Sequence, residues 1–133
     1  MASEDMTPEE TVNEFIARVV SADFEGAAEL VSDDLVYDNV PIGVAHGPQE
    51  LKDFLVAMMA GMDEVEFIVH RQCANGNIVM NERTDRFLVR EEWIGLPVSG
   101  VFEVNDDGKI GLWRDYFDAA TFFEQMETAT NAS

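Results

Sequence analysis

The sequence predicts an α+β fold in which helices close one face of a strongly curved mixed or antiparallel sheet. Two observations carry that prediction. Apolar residues recur at helical spacing early in the chain, at Val12, Phe15, Ile16, Val19 and Val20. After Gly61 the period changes to alternation, and Asn75-Gly76 interrupts it with a strong hairpin signal. The 133 residues suffice for one core, so the chain reads as a single domain over 1–133, with 1–6 and 127–133 expected as flexible tails.

Each element has a local cause. Thr7-Pro8-Glu9-Glu10 combines a cap, a proline suited to the first helical position and a glutamate at capping-box spacing. A shorter helix is expected from Asp23 through Val31. Ser32-Asp33-Asp34 then reads as punctuation, and Leu35 to Val40 as a strand that Pro41 ends. Ile42 to Gly47 reads as a glycine-bearing loop. Pro48 opens a third helix with Leu51, Phe54, Leu55, Met58 and Met59 as its apolar stripe, and Gly61 stops it. Strands follow from about Glu64, from Asn77 to Arg90, from Val98 to Asn105, and through Leu112-Trp113-Arg114-Asp115-Tyr116-Phe117-Asp118. Ala119, Phe122, Phe123 and Met126 mark a short last helix. Four long strands in so small a domain curl, and the concave side leaves room for an apolar pocket. Its expected lining is Met58, Met62, Phe87, Val98, Phe102, Trp113 and Phe122.

Composition narrows the functional classes. The 27 acidic residues against 8 basic give a formal charge of -19, which repels phosphate backbones and anionic lipid, so neither nucleic acid nor membrane is expected as a partner. The single cysteine, Cys73, and an N-terminus without a basic or apolar segment point to a cytoplasmic protein. His46 and His70 lie in unrelated settings, so no metal site is expected.

Five polar residues stand where core residues normally would. Asp115 lies between Trp113 and Phe117 on one strand face; Arg83 and Asp85 share a face with Val79, Phe87 and Val89; Tyr37 and Asn39 share a face of an early strand. Two carboxylates flanking an arginine in a dry pocket favour keeping one proton on the carboxylate pair, which makes the unit acid and base together. A hydroxyl and an amide are suited to fixing a water by hydrogen bonds. The same spacing also fits a structural ion pair, and it leaves open which aspartate holds the proton.

Tyr37-Asp38-Asn39-Val40-Pro41, Glu82-Arg83-Thr84-Asp85 and Leu112 to Asp118, in that order over nearly the whole chain, resemble the limonene-1,2-epoxide hydrolases. The resemblance implies a curved-sheet cone of the kind shared with nuclear transport factor 2 and ketosteroid isomerase, and a homodimer. It implies cofactor-free, one-step addition of water to an epoxide, giving a vicinal diol. By position, Asp115 would be the general base, Asp85 the general acid and Arg83 the bridge that orients both, while Tyr37 and Asn39 would hold the water. The substrate would be an apolar, cyclic, limonene-1,2-epoxide-like molecule. Two other readings stay open: an isomerase or cyclase of the same cone fold, acting on a ketosteroid or polyketide, and a non-catalytic module that binds apolar ligands.

Overall fold

The computed structural model describes residues 6–131. The chain runs α1 (Pro8–Val20), α2 (Phe24–Ala28), β1 (Val31–Val40), β2 (Gly43–His46), α3 (Gly47–Met59), β3 (Glu64–Asn75), β4 (Ile78–Val89), β5 (Glu92–Val104), β6 (Ile110–Tyr116) and α4 (Ala119–Asn131). The six strands form one sheet in the order β2-β1-β6-β5-β4-β3. All neighbours are antiparallel except β1 and β6, which run parallel, so of the two expected sheet types this is the mixed one.

The helices start where their caps dictate. Thr7 and Glu10 form a reciprocal capping box at α1, whose Val12, Phe15, Ile16 and Val19 are buried. Asp23 caps α2 by accepting from the Gly26 amide. Helix α2 is shorter than the sequence predicts: it stops at Ala28, because Val31 already pairs with Ile110 of β6. Ser32, Asp33 and Asp34, expected as a break, are therefore part of β1, and the register of β1 on β6 shifts across them. The expected loop after Pro41 is the short edge strand β2, which pairs with β1 from Val36 to Asn39.

The expected tail from Glu127 is helix instead. Helix α4 continues to Asn131 because Ala129 is buried among Val65, Phe87, Val89 and Ile94, and Arg90 donates to the Thr130 carbonyl. Gln125 also spans the gap where β5 has no β6 neighbour, donating to the Gly95 carbonyl at 3.0 Å and accepting from the Gly95 amide at 3.2 Å. Residues 1–5 and 132–133 of the two expected tails lie outside the described residues. Cys73 is an exposed free thiol, and no helix among the described residues is long and apolar enough to cross a membrane.

Two apolar clusters share the inner face of the sheet. One is built on Phe15, Leu35, Leu51, Leu55, Phe102 and Trp113; the other on Phe87, Ile94, Leu96, Val98 and Ala129, with Phe117 and Phe122 packed against it. The polar residues lie where the two meet.

Candidate active site

Register explains how residues far apart in sequence come together. Asn39 of β1 pairs with Asp115 of β6, Asp115 with Gly100 of β5, Gly100 with Asn81 of β4, and Asn81 with Gln72 of β3. Paired residues share a face, so this is one polar row across five strands. Its middle member, Gly100, has no side chain. A Cβ there would fall 2.5 Å from Arg83 Nη1 and 2.9 Å from both Asn81 Oδ1 and Asp115 Oδ1. The guanidinium of Arg83 fills that space.

All five N–H donors of Arg83 are used. Nε donates to Asp85 Oδ1 at 2.9 Å and Nη2 to Asp85 Oδ2 at 2.8 Å. Nη2 also donates to Asp115 Oδ2 at 2.9 Å, and Nη1 to Asp115 Oδ1 at 3.2 Å. The fifth bond runs from Nη1 to Asn81 Oδ1 at 3.1 Å. Both carboxylates are thus held by a planar fork, and Arg83, Asp85 and Asp115 are each at most 4% exposed. The Phe67 ring covers the guanidinium, 4.7 Å from its carbon.

Asp115 has a further donor, the indole N–H of Trp113 at 2.8 Å. Trp113 in turn stacks between Tyr37 (centroids 4.1 Å apart) and Phe102 (5.8 Å), forming an aromatic row beside the polar one. Phe54 meets Tyr37 edge-on at 5.1 Å. The phenol therefore has little freedom to move.

These environments set the protonation states. Burial pushes the Asp85 carboxyl up to about 6, against the hydrogen bond and charge of Arg83 and helped by the charge of Asp115. Burial opposes the Arg83 charge, but the Asp85 hydrogen bond and the Asp115 charge outweigh it, so the guanidinium is bound more firmly to its proton than a free arginine. Burial, then the Asp115 charge, hold the Tyr37 phenol well above its ordinary value. Tyr37 is a neutral hydroxyl throughout the physiological range.

The carboxylates open onto a cavity of about 300 Å³. Tyr37, Asn39, Asp85 and Asp115 supply its polar groups; Ile42, Phe54, Met58, Phe67, Phe87, Leu96, Val98, Phe117, Phe122 and Phe123 supply apolar wall. Among the described residues, no three His, Cys, Asp or Glu side chains are grouped so as to hold a metal ion.

Four of the five polar candidates thus line one cavity, and Arg83 bridges two of them from behind. Of the expected wall, Met58, Phe87, Val98 and Phe122 are in place. Phe102 and Trp113 are not: both are packed under Phe15, whose ring meets theirs at 6.5 and 5.1 Å, and neither reaches the cavity. Met62 is also misplaced. It follows the end of α3 and lines a separate groove with Val20, Phe24, Met59 and Val65. Sequence reasoning missed Asn81, which precedes Arg83 by two and so shares its inward face, and Gly100.

Comparison with known proteins agrees with the geometry. The family model described as the limonene-1,2-epoxide hydrolase catalytic domain matches residues 6–128. The chain belongs to that family. It is 38% identical over 115 residues to the epoxide hydrolase EphG of Mycobacterium tuberculosis, covering 86% of this chain and 76% of that protein. A solved structure of an LEH-like epoxide hydrolase from M. tuberculosis superposes with a TM-score of 0.76 at 35% identity, over 92% of this chain and 90% of that one. A SnoaL-like polyketide cyclase structure from Shewanella denitrificans has a TM-score of 0.83 at 14% identity, over 91% and 97% of the two chains, and shows the shared nuclear transport factor 2-like fold alone.

Proposed function

We propose that this member of the family hydrolyses an apolar, cyclic, limonene-1,2-epoxide-like epoxide to a vicinal diol in one step. The observation that carries the reading is the pair of buried aspartates bound to one guanidinium at the wall of a cavity lined mostly by apolar side chains. Asp115 is the general base: it takes a proton from a water held by Tyr37 and Asn39 as the water oxygen attacks an epoxide carbon. The carbon–oxygen bond on the far side breaks, and Asp85, the general acid, delivers its proton to the departing oxygen. No free alkoxide or hydroxide forms, and the pair ends with the one proton it began with, now on Asp115. Return of that proton to Asp85, through solvent, resets the site.

The assignment of Asp85 as acid draws on its burial, which keeps a carboxyl protonated well above the usual range. The arginine between the carboxylates favours this reading over an isomerase or cyclase, whose chemistry needs a base and donors to an enolate oxygen but no second carboxylate locked to the first. A non-catalytic ligand module would have no use for the shared proton. Single-turnover hydrolysis of a panel of cyclic epoxides in isotopically labelled water tests the proposal: label should appear in the diol. Unlabelled diol would mean a covalent enzyme ester, and no diol from any substrate would overturn the reading.

The homodimer belongs to the same proposal. Val44, Ile68, Met80 and Tyr116 are large side chains 41–53% exposed, and alternation places them on the sheet face opposite Asp115. Sedimentation at micromolar concentration should give twice the chain mass of 14.9 kDa. The free thiol of Cys73 suits a reducing, cytoplasmic setting.

A further inference from the structure

We infer that Asn81 is a positioning residue for Arg83, locked in its working orientation by Gln72, although neither residue lines the cavity. Only the kinetic part of this inference rests on the hydrolase reading above.

Four of Arg83's donors go to the two carboxylates; the fifth, on Nη1, goes to Asn81 Oδ1 at 3.1 Å. Nη1 is also the longest of the bonds to Asp115, at 3.2 Å, so its direction is the one most dependent on a second acceptor. Asn81 is 5% exposed. A guanidinium only donates, so the Asn81 carbonyl must face it and the Asn81 NH2 must face away. That NH2 donates to Gln72 Oε1 at 3.1 Å. The Gln72 NH2 then donates to Asn13 Oδ1 at 3.0 Å and Glu9 Oε2 at 3.2 Å, both on α1. The chain is polarised at both ends: an arginine that can only donate and a carboxylate that only accepts. Reversing either amide would set donor against donor somewhere along it.

The backbone is arranged to make this chain. On β3, Val65 and Phe67 face inward with odd numbers, and Gln72 would face outward if the alternation held. A bulge between Val69 and Arg71 shifts the register by one, so that Gln72 pairs with Asn81 on the inner face. Bulges re-aim side chains in this way, and here the re-aimed residue is the one that fixes Asn81.

Three variants test the inference: Asn81→Ala, Asn81→Asp and Gln72→Leu. Turnover of the epoxide and NMR titration of the Asp85 carboxyl carbon are read in each, with Arg83, Asp115 and Tyr37 the ionisable groups around it. Asn81→Ala should lower kcat roughly 10- to 100-fold, the cost of misplacing a catalytic group by about an ångström, with KM within about twofold. Asn81→Asp retains the acceptor but adds a negative charge, so the Asp85 titration should move up by about one pH unit. Gln72→Leu, at a half-buried site, should act in the direction of Asn81→Ala with a smaller loss, and decides the matter if Asn81→Ala does not fold. Wild-type kcat and an unmoved titration in the folded variants, with only a lowered Tm, would overturn the inference. If the wild-type protein opens no epoxide, the hydrolase reading fails, and the Asp85 titration alone then decides the role of Asn81.

Discussion

Trp113 and Phe117 flank Asp115 two residues to either side, the one within β6 and the other just past its end, yet they have opposite fates. Trp113 is fully buried, wedged among Phe15, Tyr37 and Phe102. Phe117 borders the cavity with Phe122 and Phe123. What differs is the helix above them. Helix α1 lays Phe15 directly on one end of the inner face, whereas α4 at the other end reaches over with the edges of its rings and leaves space. The polar row lies on the seam: the solid end holds the carboxylates in place, and the open end is where the cavity lies. Rigidity and access come from neighbouring parts of one sheet.

The seam itself should show the largest effects. Asp115→Asn and Asp85→Asn should each lose about 10²- to 10⁴-fold in turnover while folding normally, checked by diol formation against circular dichroism melts. Activity retained by either would remove its proposed role. Arg83→Ala should also be inactive and, in addition, about 3–5 kcal/mol less stable in urea unfolding, because two buried carboxylates lose their common counter-charge.

The two ends can then be set against each other. Phe15→Ala at the solid end should cost about 3–5 kcal/mol of stability. Phe123→Ala, at a residue 56% exposed at the open end, should stay within about 0.5 kcal/mol of wild type and instead alter KM and preference among epoxides. Equal stability losses would break the distinction between packed and open ends.

The smallest and most diagnostic effect is one of pH. Asp85 holds its proton up to about 6 when folded, against about 3.9 in an unfolded chain. Between those values the native state binds more protons than the unfolded state. The stability Asp85 contributes is therefore complete below about pH 3.9 and lost as pH rises through about 6. If Asp85 is the acid, kcat/KM should fall over the same upper limb. Phe15→Ala should lower stability by the same amount on both sides of that limb, since the one ionisable member of its cluster, Tyr37, stays a neutral phenol across it.

Much of this was legible in the sequence because alternation reports which face of a sheet a residue occupies. Within their own strands Tyr37 shares a face with Asn39, Arg83 with Asp85, and Asp115 with Trp113; that these faces are the same one follows from the register across strands. Alternation does not report what covers that face, which is why Trp113 and Phe102 were expected in the pocket and are found under Phe15. It also fails silently at a bulge: Gln72 reads as outward on β3 until the register shift turns it in. The helix ends were misjudged for a related reason. Leu30 and Val31 fit a helical pattern, and Glu127 onward fits a polar tail, but pairing with β6 and the burial of Ala129 decided otherwise.

Gly100 bears on how such a protein can be altered. Wall positions such as Phe122 and Val98 are tunable, since a change in their volume resizes the cavity and leaves the carboxylates in place. Gly100 is different: the space above it is already occupied by a guanidinium whose every donor is spoken for, and no repacking of the wall creates room. In a randomised library selected for new epoxides, the wall should diversify while position 100 returns glycine.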